Sequence, residues 1–327
     1  MEMIVTFIQR AILQGTPLLY GATGEILTEK SGSLNLGIPG IMYIGAISGV
    51  IGGFFYQSAV GSAVDPLLAI LIPLLCCLLG SLLTSLLYCF LTVTLKANQN
   101  VTGLAITTFG VGVGNFFGGS LIKIVKSDVP YLALVKVAKA YKTTLPFANS
   151  MGAVGQLLFS YGFMVYLAVF IAVAAGIFLK RTRVGLQLRA VGENPATADA
   201  AGINVTKYKY FATCIGGMIA GLGGLFYIMD YSNGIWSNNG FGDRGWLAIA
   251  IVIFATWKPL MAMAGSYLFG ALYILFNYIN VPMRMIPLIQ MLPYVVTILV
   301  LIVVSIRKRR ENQPPAHLGL SYFREER

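Results

Sequence analysis

Residues 67–95 read LLAILIPLLCCLLGSLLTSLLYCFLTVTL, without one charged side chain. About 20 apolar residues are enough for a helix to cross the hydrocarbon of a bilayer, since each adds ~1.5 Å of rise. A helix pairs its own N–H and C=O groups, whereas an isolated strand would leave them unsatisfied in lipid. The run therefore reads as a membrane-spanning helix. Residues 97–122 form a second charge-free run. Of the 327 residues, 57% are hydrophobic and only 11% are charged, against about 25% charged in soluble domains.

Working outward, hydrophobic segments fall at residues 4–27, 36–56, 67–95, 101–122, 156–179, 210–229, 245–256, 260–279 and 287–306. The pattern predicts an all-α, polytopic transmembrane bundle of about 8–10 spans. Residues 1–306 are expected to form the transmembrane domain, including a polar loop at 180–209, and residues 307–327 a basic cytosolic tail. The N-terminus lacks the charged region, short apolar core and cleavage site of a signal peptide, so the first span is expected to be retained. Placing the RKRR run at 307–310 in the cytosol puts Lys30, Lys96, the 180–209 loop and Lys258 on that side too, as the positive-inside tendency favours. One loop departs from it: Lys123, Lys126, Lys136, Lys139 and Lys142 would lie outside. That loop is either a docking surface for an external partner or the sign of a miscounted helix.

The net charge of +11 sits in short loops and the tail, which suits anionic lipid rather than nucleic acid. Cys76, Cys77, Cys89 and Cys214 all lie in apolar segments and His317 is the single histidine, so neither a disulfide framework nor a histidine metal site is expected. No Walker A sequence and no nucleophile–base pair is present. The chain is expected to be neither an ATPase nor any other enzyme. Glu25 and Glu29 flank the end of the first span, and Asp230 and Asp243 bracket an outer loop. All four are expected to reach water or headgroups, which disfavours an ion-coupled carrier or channel, the reading of another class.

Gly110, Gly114 and Gly118, and Gly216, Ala220 and Gly224, recur at intervals of four, a pattern of tight helix packing. NLGIPG (35–40) and GFGDRG (240–245) share a G-x-x-G core ahead of an apolar segment, the mark of a candidate inverted repeat with broken helices. Broken helices expose backbone groups, and aromatic rings offer faces to a base or sugar. Asn35, Gly37, Asn115, Phe116, Asn239 and Phe241 are therefore the candidate path for a neutral solute. The competing reading of each asparagine is a bridge between helices.

The longest polar interruption is VGLQLRAVGENPATADAAGIN, residues 184–204. Asn194 suits an N-cap, Pro195 the first helical position and Gly202 the stop. So short a helix is marginal in water and needs neighbours or a partner to hold it.

At these residues the chain resembles the permease subunits of bacterial ATP-binding-cassette importers, in the branch serving simple sugars, branched-chain amino acids and nucleosides. LTEKSGSLNLGIPGIMYIGA (27–46), LRAVGENPATADAAGINV (188–205), GDRGWLAIAIVIFATWKPL (242–260) and LPYVVTILVL (292–301) carry the resemblance. The first segment is most similar to nucleoside permeases: Ser31, Gly32, Leu34, Asn35, Leu36, Gly37 and Gly40 fit, while Pro39 stands where a glutamate is usual. Ala255 and Thr256 likewise replace the usual Gly-Arg before Trp257. The resemblance implies that Glu193, Asn194, Pro195, Ala196, Thr197, Asp199 and Gly202 seat on a separate ATPase subunit that binds ATP and magnesium, with no cofactor in this chain. It also implies a second permease, a paralogue in preference to a second copy, an extracellular or periplasmic solute-binding protein, and a place in the bacterial cytoplasmic membrane. Nucleosides are the expected solute; ribose, another sugar or a branched-chain amino acid is the alternative.

Overall fold

The computed structural model describes residues 2–61, 63–125, 130–144, 152–279, 282–307 and 313–323. Lys126 and the basic run beyond Arg307 lie outside the described residues. The chain forms α1 (Glu2–Glu29), α2 (Ile38–Val60), α3 (Pro66–Cys89) with a π turn at Phe90–Thr94, α4 (Gln99–Ile124), β1 (Leu132–Ala133), α5 (Val135–Tyr141) and α6 (Gly152–Phe159). There follow α7 (Phe163–Arg181), α8 (Arg183–Glu193), α9 (Pro195–Ala200), α10 (Val205–Phe226) with a π turn at Tyr227–Tyr231, and β2 (Ile235–Trp236). The last elements are α11 (Arg244–Phe254), α12 (Pro259–Ile274), α13 (Ile286–Gln290) and α14 (Leu292–Arg307).

Seven of the described helices are long and apolar enough to cross a membrane, and α1 adds 28 residues. Every expected span falls on helix, but three differ in form. The segment at 245–256 is a half-span: the 11 residues of α11 rise about 16 Å, roughly half of the hydrocarbon thickness. The segment at 156–179 divides at Gly162, which packs so tightly against the Tyr141 carbonyl and the Asp230 carboxylate that a Cβ would overlap both. The segment at 287–306 begins as the separate turn α13 and restarts at α14.

The centre of the bundle is the crossing of α1 and α10. Gly24 and Gly216 meet there so closely that a Cβ on either would run into the other's carbonyl oxygen. Around this crossing the neighbours are duplicated. Helix α1 packs on α11 and α12 as α10 packs on α2 and α3, and α2 touches α3 and α4 as α11 touches α12 and α14. Exchanging α1–α4 for α10, α11, α12 and α14 preserves these contacts, and α1 ends at the side where α10 begins. This is the arrangement of an inverted repeat. The starts of α2 and α11 meet, for a Cβ at Gly245 would lie 2.5 Å from the Pro39 Cα. The stripe of Gly110, Gly114 and Gly118 lies against Gly40, Tyr43 and Trp236, so it serves packing.

At one end, Lys30, Lys96, α8, α9, Trp257, Lys258 and residues 313–323 converge. That is the grouping the charge pattern predicts. At the other end β1 pairs antiparallel with β2, Leu132 opposite Trp236. The lysine-rich loop contributes β1 and α5 there, and among the described residues it holds no helix long enough to cross. Lys136 Nζ donates to the Gly61 carbonyl at 2.9 Å and Lys142 Nζ to Asn233 Oδ1, so two of its lysines tie this layer together.

Candidate functional site

Three places bear on transport: the α8–α9 segment, the break between α1 and α2, and the break between α10 and α11. Helix α9 is capped as its sequence predicts. Asn194 Oδ1 accepts from Thr197 N at 3.0 Å, Pro195 opens the helix, and Gly202 closes it at φ +82°. Glu193, Asn194, Thr197 and Gly202 are exposed, Ala196 and Asp199 are half-buried, and Pro195 is buried against the bundle. Helix α8, capped by Thr182 on Gly185 N, carries α9 and buries Leu188, Val191 and Gly192.

What holds α9 was missed at the level of sequence, where the tail was read only as basic. Residues 313–323 (QPPAHLGLSYF) fold back across this end. His317 N donates to the Gly192 carbonyl at 3.0 Å, Gly319 N to the Gly32 carbonyl at 3.2 Å, and Tyr322 Oη–H to Asp199 Oδ2 at 2.9 Å. The apolar and aromatic residues of that stretch were the available signal. Burial, reinforced by the charge of Lys209, holds the His317 imidazole below its ordinary pKa. Burial likewise lowers that of Lys30, against the opposing pull of Glu193.

The first break, residues 30–37, is sealed. Asn35 is 0% exposed; its N–H donates to Glu25 Oε1 at 3.1 Å and its Oδ1 accepts from Gly37 N at 2.9 Å. Tyr88 Oη–H donates to the Leu34 carbonyl at 2.5 Å, and Leu34 N to Gln99 Oε1 at 2.7 Å. The expectation that Glu25 and Glu29 reach water is corrected here: they are 0% and 3% exposed. The chain leaves α1 and turns back over both carboxylates, and Trp257 Nε1–H covers Glu29. Asp230 is also buried, behind Gly162, whereas Asp243 is exposed.

The second break, residues 232–243, is open. Tyr43 Oη–H donates to Asn115 Oδ1 at 2.8 Å and accepts from Asn239 N at 2.8 Å, while Asn115 Nδ2 donates to Asn239 Oδ1 at 2.8 Å. Phe241 stands edge-on to Tyr43 and Tyr227. Arg244 is buried, donates to the Phe241 carbonyl at 2.8 Å, and lies 4.3 Å over the Tyr227 ring. Asn238, Asn239, Gly242, Asp243 and Trp246 remain exposed, as does the nearby Phe116. The structure thus brings Asn115, Asn239 and Phe241 together, and sets Asn35 and Gly37 apart in the sealed break. Tyr43, Arg244 and Trp246 were missed; a tyrosine inside an otherwise apolar, glycine-rich helix was the signal for the first.

The family model for the permease component of branched-chain amino acid transport systems matches residues 7–305. The chain belongs to this permease family. Among its relatives, a nucleoside ABC transporter permease protein of Lactococcus lactis is 32% identical over 89% of each chain. A guanosine ABC transporter permease protein of Bacillus subtilis is 30% identical over 92% of each. A putative glucose ABC transporter permease protein of Haloferax volcanii is 32% identical over 83% of this chain and 77% of its own. The permease is a multi-pass protein of the inner membrane and a transport component rather than a catalyst.

Proposed function

We propose that this permease forms, with a second and related permease, the path by which nucleosides enter the cell, and that a separate ATPase grips it at α9. The observation that carries the reading is the exposed, capped α9 on a segment bonded into the first break. Gly192 packs against Lys30 and Gly32, residues 30–37 lead into α2, and Pro39 of α2 abuts Gly245 of α11. Movement of α9 would reach the start of both broken helices through these contacts. Glu193, Asn194, Thr197 and Gly202 offer the ATPase its exposed contacts; Pro195, Ala196 and Asp199 hold the helix. ATP and magnesium reside in that partner, and this chain carries no cofactor.

On the solute side, the exposed amides of Asn238 and Asn239 can bond hydroxyl and base-edge groups, and the rings of Phe116 and Trp246 can pack on an uncharged base. The nucleoside and guanosine relatives support this solute. A sugar is the second reading, favoured by the glucose relative. A solute-binding protein would deliver at the end formed by β1 and α5.

Competition decides the solute. Uptake of labelled guanosine should be blocked by excess unlabelled nucleosides and left unchanged by glucose, ribose or leucine. Block by glucose or ribose alone would move the assignment to sugars. Uptake that persists after the partner ATPase is inactivated would point to an ion-coupled carrier.

A further inference from the structure

Beside α9, at the end that gathers the tail, lies a cavity of about 610 Å³ whose wall shares only Asp199 and Gly202 with the coupling segment. Its wall is made by the π turn after α3, the α9–α10 connection and the folded-back tail, and it includes Lys96, Thr206, Lys207, Lys209, Asp199 and Tyr322. Lys207 and Lys96 are exposed, and Lys96 Nζ rests 4.1 Å over the Phe323 ring. Asp199 accepts from Tyr322 Oη–H at 2.9 Å, so it is engaged by the tail.

Lys209 is the unusual member. It is 3% exposed, lines the cavity, and has no hydrogen bond or ion pair among the described residues. An ammonium on a side chain this deeply buried, without a counter-charge beside it, is costly, and such groups are ordinarily paired. The same cavity receives the N-terminus of α10, a helix of 22 residues whose Asn204 cap satisfies Lys207 N. Its positive end adds to the field of the three lysines.

We propose that this cavity binds a phosphate group, with Lys209 as its buried counter-ion and Lys96 and Lys207 as its outer donors. The group is carried either by the headgroup of an anionic phospholipid or by a soluble phosphomonoester. Basic pockets between helices at the membrane boundary suit headgroups, and the cavity's polar wall and volume also accommodate a small soluble ester. Because Asp199 and Tyr322 are in the wall, an occupant would touch both the α9 segment and the tail that holds it.

The test uses the full-length permease in phosphatidylcholine nanodiscs, with either phosphatidylglycerol added to the lipid or sn-glycerol 3-phosphate titrated in solution. Native mass spectrometry and thermal shift read occupancy, with glycerol as the uncharged control. Saturable binding of phosphatidylglycerol identifies the lipid source, and saturable binding of glycerol 3-phosphate the soluble one. In either case K96Q combined with K207Q should weaken binding by about tenfold or more. Lys209→Met should abolish it while raising the midpoint of the ligand-free protein, because the unpaired buried charge is gone. That opposite movement separates loss of a ligand from loss of fold. Absence of both ligands from the wild type, or binding that K96Q/K207Q and Lys209→Met leave at wild-type strength, would overturn the proposal.

Discussion

The two breaks in the bundle begin alike and end differently. Each is a glycine-containing turn ahead of an apolar helix, and the helices they launch, α2 and α11, touch at Pro39 and Gly245. In the first, the Asn35 side chain is entirely buried: its Oδ1 accepts from the Gly37 amide while its Nδ2 has no partner among the described residues, and Glu25, Tyr88 and Gln99 bond the backbone of the turn around it. In the second, Asn239 faces outward in a left-handed conformation at φ +58°, held from behind by Tyr43 and Asn115. A repeated sequence device therefore yields a structural joint on one side of the repeat and an accessible polar face on the other. Burial, not the local motif, decides which is which.

Matched substitutions at the two asparagines make the sharpest attack on this contrast. Asn35→Ala removes a buried acceptor and leaves the Gly37 amide unpaired, which should destabilise by about 1–3 kcal/mol. Asn239→Gly, chosen because glycine tolerates the positive φ, should change stability by less than about 1 kcal/mol while raising the KM for uptake several-fold. Thermal midpoints and uptake kinetics read both. Equal destabilisation at the two positions would erase the distinction.

A smaller effect is expected at the tail. Tyr322→Phe deletes the bond to Asp199, worth about 1 kcal/mol, and should speed proteolytic cleavage near α9 with little change in global stability. An unchanged cleavage rate would show that the tail does not hold that helix.

The smallest effect is one of pH. Docked His317 has a lowered pKa, so the undocked tail binds the proton more tightly, from about pH 6.5 downward. Docking should be strongest above that value and weaken as the pH falls through it. His317→Gln should flatten the dependence of tail proteolysis on pH. A tail released instead on raising the pH would contradict the sign.

Much of the fold was legible because a membrane helix is written in consecutive apolar residues, as in 67–95. The caps of α9 were legible too, since Asn194, Pro195 and Gly202 act within a few residues of one another. The burial of Glu25 and Glu29 was not, because it depends on Trp257 and the 30–37 turn folding over the end of α1. Nor was the half-length of α11, whose composition matches that of a full span. Asn115 and Asn239 were each singled out, but their meeting through Tyr43 joins residues 43, 115 and 239, a distance no local pattern spans.

The most direct measurement of how transport is powered is co-purification of the partner ATPase with a permease lacking residues 193–202. The variant should still insert in the membrane, retain no ATPase and take up no nucleoside. An ATPase that stays bound to the shortened chain would contradict the assignment of α9 as its seat.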